Sequence, residues 1–285
     1  MDIRLNYIEK GTGKPLILLH GNGEDADYFV HQLDYFSRCF RVIAVETRGH
    51  GKSPRGMAPF TIRQFANDLY EFMQAHKILK AHILGFSDGG NIAMIFAMRH
   101  PEMVDCLVLN GANLQADGVK REFQVPIEQE YEEALLTADQ DPEAKQKAEL
   151  YGLMVNDPNI DVQELAGITA RTLVIAGTDD MIEETHTRLI YENLPDAELS
   201  FVRGSHFIAA EEPDIFNRRV AEFLNAEKEY KQEDFPTPLE RVQKTVWEHM
   251  LQTGVLMLDE PGSDDQKRKV TYIMEYDEYG RRSFR

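Results

Sequence analysis

The chain has 285 residues, with 31 Lys and Arg against 49 Asp and Glu, for a formal charge of -18. A charge of that sign disfavours nucleic acid and anionic membrane surfaces as partners. The 42% hydrophobic content is enough to build a large buried core, which excludes general disorder.

Residues 2 to 9 alternate through Ile3, Leu5 and Tyr7 and predict an edge strand. Short apolar runs then predict buried strands at Leu16 to Leu19, Val42 to Val45, His82 to Leu84, Leu107 to Leu109 and Leu173 to Ala176, and a further strand is expected at Glu198 to Val202. Between them, Ile62, Phe65, Ala66, Leu69, Phe72 and Met73 recur at helical spacing. Ile92, Ile95 and Phe96 do the same up to Pro101, and Ile215, Val220, Phe223 and Leu224 mark a last helix. This alternation predicts a mostly parallel sheet with helices on both faces. Residues 113 to 165 interrupt it with helical patterns alone, carrying 13 acidic and four basic residues. That segment reads as a helical insertion over one end of the sheet, with Phe123, Tyr131, Leu135, Leu150, Tyr151, Leu153 and Met154 as candidates for an apolar lining.

After Asn225 a charged stretch, Lys228 to Pro238, leads to an expected helix, Leu239 to Gln252, and an alternating strand pattern at Val270, Tyr272, Met274 and Tyr276. The expected organisation is therefore a domain over 1–227, with the insertion at about 113–165, and an extension over 228–285. The extension has no readable role. Self-association is one expectation for it and a solvated appendage the other.

Cys39 and Cys106 suggest no disulfide framework. The N-terminus lacks the basic and apolar pattern of a secretory signal, and no run approaches the length of a membrane span, so a cytoplasmic protein is expected. His31, His76, His82, His100, His186 and His249 show no metal-ligand spacing, and neither a metal nor a cofactor is implied. Gly11-Thr12-Gly13-Lys14 fails as a phosphate loop, because Ile8 stands where glycine is needed and Pro15 follows the lysine. Met94, Met98 and Met103 fit core packing.

The sharpest chemical signal is Gly85-Phe86-Ser87-Asp88-Gly89-Gly90, a G-x-S-x-G pattern between a predicted strand and a predicted helix. On such a turn Ser87 would present its hydroxyl above the strand ends. A serine hydroxyl is a weak nucleophile until a base takes its proton, so a histidine and an orienting carboxylate are needed. Two later strands end at suitable loops: Gly177-Thr178-Asp179-Asp180, and Arg203-Gly204-Ser205-His206-Phe207.

Together these features resemble the α/β-hydrolase fold superfamily over roughly residues 3 to 226. His20-Gly21-Asn22-Gly23 resembles its oxyanion segment, and Arg48-Gly49-His50-Gly51-Lys52-Ser53 its R-G-x-G-x-S loop. Gly177 to Asp180 resembles its acid turn. Gly204 to Phe207, with Glu212-Pro213 and Phe223-Leu224, resembles its histidine loop and last helix. The resemblance implies Ser87 as nucleophile, His206 as general base and Asp180 as its orienting acid, with Asp179 the competitor for that last role. It implies the backbone N–H groups of Asn22 and Asp88 as an oxyanion hole, and structural loop roles for His20 and His50. An Asp at position 88 sets a negative charge beside a site that builds an oxyanion, unless it points to solvent. The implied reaction is hydrolysis, by an acyl-enzyme, of a small or medium neutral carboxylic ester. Lactones, thioesters and carbon–carbon bonds of certain diketones stay open, because fold does not choose among them. A non-catalytic member of the same fold that binds a small molecule or a partner is the alternative.

Overall fold

The computed structural model describes residues 2–226 and three strands at 255–259, 269–276 and 282–284. Its internal contacts divide it into two compact units, Met1–Glu229 and Tyr230–Arg285.

In the first unit the strands are β1 (Tyr7–Lys10), β2 (Lys14–Leu19), β3 (Phe40–Val45), β4 (Ala81–Phe86), β5 (Val104–Asn110), β6 (Arg171–Gly177) and β7 (Ala197–Val202). The helices are α1 (Val30–Phe36), α2 (Ile62–Ala75), α3 (Asp88–Arg99), α4 (Arg121–Leu135), α5 (Pro142–Asn156), α6 (Glu184–Asn193), α7 (Ile208–Glu211) and α8 (Pro213–Leu224). The sheet order is β1-β3-β2-β4-β5-β6-β7. Only β1 runs antiparallel, against β3.

Why the predicted strands are continuous apolar runs is clear from their two faces. Side chains alternate across a strand, and both faces here are covered. Ile17, Leu19, Ile43, Val45, Ile83, Leu107, Leu109 and Val174 pack with α2, α3 and Ile190 of α6. Leu16, Leu18, Val42, Ala44, Leu84, Phe86, Val108 and Ile175 pack with α1, α7 and α8. A polar residue on either face of β2 to β6 would meet a hydrophobic layer.

The expected edge strand over 2–9 is shorter in the structure, beginning at Tyr7. The preceding residues are claimed by loop contacts instead. The Asp2 carboxylate accepts from the buried guanidinium of Arg48 at 2.7 Å, and the Asn6 N–H donates to Ser53 Oγ at 2.8 Å. Arg48 also makes a two-point pair with Asp68 at 2.7 and 2.8 Å, with both side chains almost wholly buried. These contacts give the R-G-x-G-x-S loop a structural role. Breaking a buried pair strands the remaining charge, which typically costs about 3–5 kcal/mol. Asp68→Ala is therefore expected to lower unfolding stability by that order in chemical denaturation, whereas a loss under ~1 kcal/mol would mean that Asp2 alone can hold Arg48.

The interruption over 113–165 is helical, as expected. It consists of a 3-10 turn at Ala116–Gly118, then α4, α5 and a second 3-10 segment at Val162–Gly167. α4 and α5 pair with each other. With the Phe60–Thr61 loop they border an open cleft of about 530 Å³ lined in part by Tyr131, Leu135, Ala148 and Gly152. Of the seven expected lining residues, Tyr131 and Leu135 line it, whereas Phe123, Leu150, Tyr151, Leu153 and Met154 do not; Leu153 is buried in the main core, and Phe123 is 42% exposed.

In the second unit β8 (Val255–Asp259), β9 (Lys269–Tyr276) and β10 (Arg282–Phe284) form an antiparallel sheet in the order β10-β9-β8. The alternating pattern at 270–276 falls on β9. The expected helix Leu239 to Gln252 and the charged stretch before it lie outside the described residues. Among the described residues no helix is long and apolar enough to cross a membrane.

Candidate active site

β4 runs through the middle of the sheet and delivers Ser87 at its C-terminal end. Ser87 has φ 53° and ψ -121°, a conformation that L side chains rarely adopt. The chain tolerates it because the turn is held on both sides. The Ser87 N–H donates to the Asn110 carbonyl at 2.8 Å, and the Ser87 carbonyl accepts from Gly90 N–H at 2.8 Å. The two flanking glycines make the tight approach possible. A Cβ on Gly85 would lie 2.2 Å from the Gly89 carbonyl oxygen, and one on Gly89 would lie 2.1 Å from that of Leu19. The G-x-S-x-G spacing is thus imposed by backbone packed against backbone.

β6 ends at Gly177, and the following turn separates the two candidate acids. Asp179 is exposed and its carboxylate accepts from the Thr178 hydroxyl at 3.0 Å. Asp180 is buried, with Oδ1 at 2.6 Å from His206 Nδ1. Its oxygens also accept from Ile182 N–H at 3.0 Å and Gly177 N–H at 3.2 Å. Burial raises the Asp180 carboxyl, but the His206 hydrogen bond and charge and those two N–H groups outweigh it and hold the carboxyl below its ordinary value.

His206 follows β7 and is buried at 4% exposure. Its ring packs on Phe86, the residue before Ser87, with centroids 4.8 Å apart. It also closes on the loop after β5. At Gly111, with φ +59°, an added Cβ would sit 2.7 Å from His206 Cε1. That loop begins with Asn110, whose carbonyl holds the Ser87 N–H. The serine turn and the Asp180–His206 pair therefore lean on the same short segment, Phe86 on one side and Asn110–Gly111 on the other.

Asn22 lies in the loop after β2, half-buried, and its side chain donates to the Leu150 carbonyl of α5 at 2.8 Å. His20, ahead of it, is buried. Thr47 N–H donates to its Nε2 at 3.0 Å, so its Nδ1 donates to the Gly21 carbonyl at 2.7 Å. Burial, then the neighbouring His50, lowers His20 to about 4, which fixes it as a neutral ring. His50 bonds to the Arg48 carbonyl and Thr47 hydroxyl at 3.0 and 3.1 Å. Both histidines brace the loops.

Asp88 does not point to solvent. It opens α3 and is only 8% exposed. Burial, then the Asp157 carboxylate, pushes it up to about 6 against the pull of the Asn22 and Asn91 amides.

Two further residues near this site are not among those the sequence singles out. Glu24 accepts from Gly21 N–H at 3.1 Å, and burial pushes its carboxyl up to about 7. Lys120, on the stem of the α4–α5 insertion, donates from Nζ to the Asp180 carbonyl at 2.5 Å. The spacing of Glu24 three residues after Gly21 offered a local hint. The Lys120 contact joins residues sixty apart and had none. Among the described residues no cluster of His, Cys, Asp and Glu is arranged to hold a metal ion.

A family profile for the alpha/beta hydrolase fold matches residues 14–157. The chain is 28% identical over 252 residues to an Azorhizobium caulinodans protein named "Putative carbamate hydrolase RutD", covering 78% of this chain and 95% of that one. It is 30% identical over 268 residues to the 2-hydroxy-6-oxononadienedioate/2-hydroxy-6-oxononatrienedioate hydrolase of Burkholderia vietnamiensis, covering 78% and 91%. The enol-lactonase of Burkholderia xenovorans LB400 superposes with a TM-score of 0.67 at 23% identity, over 78% of this chain and 97% of that one, and speaks to the fold. The relatives differ in the bond their names specify and agree on hydrolysis. With the profile spanning half its length, and with the sheet order and the serine turn described above, the chain belongs to the α/β-hydrolase fold family and stands among the hydrolases of that fold.

Proposed function

We propose that this protein is a serine hydrolase that cleaves small or medium carboxylic esters lacking an anionic group, through an acyl-enzyme on Ser87. The observation that carries this reading is the 2.6 Å contact between the buried Asp180 and His206, beside the strained Ser87 turn. An Asp180 carboxylate on Nδ1 fixes the tautomer whose Nε2 can take a proton.

In the reaction Ser87 Oγ attacks the acyl carbon while His206 removes its proton. The oxyanion that forms is met by backbone N–H groups of Asp88 and Asn22. Asp88 is the first residue of α3, where N–H groups have no partner within the helix and the helix dipole is positive. His206 then protonates the leaving alcohol. Water, deprotonated by the same ring, releases the acid. The short insertion, two helices of 15 residues each, supports small or medium acyl groups. The acidic insertion and the buried Asp88 and Asp157 disfavour a substrate carboxylate.

The test is a p-nitrophenyl ester series from acetate to palmitate, with a fluorophosphonate probe read by mass spectrometry. Short and medium chains are expected to turn over fastest, and the probe to modify Ser87 alone. Preference for long chains would remove the cap argument, and labelling elsewhere would remove the nucleophile. The contact at Gly111 adds a second expectation. Gly111→Ala forces the His206 ring away from its position, and a displacement near 1 Å typically costs about 10²-fold in turnover. It should lower kcat by that order with KM little changed. Unchanged kcat would show that the ring can yield without losing its alignment.

A further inference from the structure

The two residues whose N–H groups meet the oxyanion in the proposed reaction, Asn22 and Asp88, are linked through their side chains. The Asn22 amide donates to the Leu150 carbonyl of α5 at 2.8 Å, and it also acts on the Asp88 carboxyl as a hydrogen-bond partner. An amide NH₂ carries two hydrogens, so one group serves both acceptors. Leu150 can accept because a carbonyl keeps a second lone pair when its bond within the helix is made. The backbone on either side of this link rests on the serine turn. A Cβ on Gly21 would lie 3.1 Å from the Phe86 ring, and one on Gly89 would lie 2.6 Å from the His20 carbonyl oxygen. The oxyanion segment therefore has the serine turn on one side and α5 on the other.

The residue before Leu150 ties α5 to the sheet domain. Arg55, just past the R-G-x-G-x-S loop, donates from Nε and Nη2 to the two oxygens of Glu149, each at 2.8 Å. Its Nη1 donates to the carbonyls of Ala58 at 2.8 Å and Gly56 at 3.2 Å. The guanidinium also lies over the Phe60 ring, 4.8 Å from its centroid. The cation is thus oriented by its own loop, independently of α5. A two-point pair of this kind fixes direction as well as charge, which a lysine cannot do. Position passes from Glu149 to Leu150 because consecutive Cα atoms in a helix are held 3.8 Å apart. Without the pair, the Leu150 carbonyl is free to leave Asn22. Oxyanion donors are effective when they are fixed before the charge develops.

We propose that Arg55 and Glu149 are positioning residues for catalysis: their pair holds α5 where the Leu150 carbonyl anchors the Asn22 side chain, and this anchor fixes the oxyanion N–H groups. The proposal deepens the acyl-enzyme reading of Ser87, with Asn22 and Asp88 as donors, and rests on it.

The test is a double-mutant cycle on the fastest p-nitrophenyl ester, with Glu149→Gln, Asn22→Ala and both together. Asn22→Ala removes the amide and keeps the backbone N–H. Each single variant is expected to lower kcat about tenfold, since misplacement near 1 Å costs up to about 10²-fold. Once Asn22 is alanine, Glu149→Gln should cost less than about twofold, because the two act through one contact. An equal cost in both backgrounds, or none in the first, overturns the proposal. A trifluoromethyl ketone, which adds to a serine as an oxyanion, reads the donors directly. Its Ki should rise about tenfold in Glu149→Gln while KM stays within about twofold. Ki and KM moving together would show a general loss of structure and overturn the proposal. Should Glu149→Gln fail to fold, Arg55→Lys, which keeps the charge and loses the two-point geometry, is measured in the same two backgrounds and read the same way. Ser87→Ala runs alongside. If it still cleaves the ester, the serine reading fails and the proposal with it. If it is inactive while the cycle is additive, only the positioning role of the pair fails.

Discussion

Replacing Ser87 by alanine is expected to lower kcat toward short esters by about 10⁵-fold, with KM nearly unchanged. The size follows from how such a site divides its labour. Without the hydroxyl no acyl-enzyme forms, and His206 and Asp180 have no proton to move. What survives is binding and oxyanion stabilisation, which in comparable sites still gives about 10³- to 10⁴-fold over water. The fluorophosphonate probe should then fail to label the variant. A residual rate within tenfold of wild type would require another nucleophile and would remove the acyl-enzyme mechanism. Loss of activity by unfolding can be told apart at the same position. Ser87 holds φ 53°, where glycine is unstrained. Ser87→Gly should therefore be as inactive as the alanine variant yet unfold at a higher temperature, by the ~1 kcal/mol or more of relieved backbone strain. An inactive but stabilised glycine variant would show that the strain is kept for presenting the hydroxyl.

Much of this arrangement is legible in the chain because it depends on local patterns. β2 to β6 are buried on both faces, so they read as unbroken apolar runs ended by loops, and α2 shows its single apolar face as Ile62, Phe65, Ala66, Leu69, Phe72 and Met73. The G-x-S-x-G turn is legible as a fixed local spacing, although only Gly85 answers to backbone a few residues away and Gly89 answers to Leu19 and His20 at the end of β2. α1 and α6 are not. α1 is seven residues long, and its buried Gln32 is satisfied by Ala209 and Asn217, far along the chain. α6 buries only Thr187 and Ile190. The start of β1 was misread because Ile3 and Leu5 alternate like a strand. Their neighbours, however, bond to the Arg48 loop, and no periodicity reports such a contact. At the site, Asp179 and Asp180 are adjacent and equivalent in composition. Burial and the direction of one turn distinguish them, and both are tertiary facts.

Asp180→Asn is expected to lower kcat by about 10⁴-fold, while Asp179→Asn stays within about twofold of wild type. The amide is nearly isosteric, so the variant should keep the fold and lose the chemistry. A carboxylate can only accept from Nδ1–H. An asparagine can present its NH₂ to Nδ1, which places the imidazole proton on Nε2, where it can no longer take the proton of Ser87. Asp179 cannot compensate, because it is exposed and bonded to Thr178 on the other side of the turn. The same pair sets a pH dependence of stability. Its carboxyl lies below the ordinary value of 3.8 in the folded chain, so the unfolded state binds the proton more readily. The stabilisation is complete above that ordinary value and disappears as pH falls through the lower folded value. Melting temperatures of wild type and Asp180→Asn should therefore differ by a constant amount at neutral pH and converge only below about pH 4. Convergence already at neutral pH would mean that the contact with His206 contributes alignment without stability. An Asp179→Asn defect as large as that of Asp180→Asn would transfer the orienting role to the exposed acid and overturn the assignment.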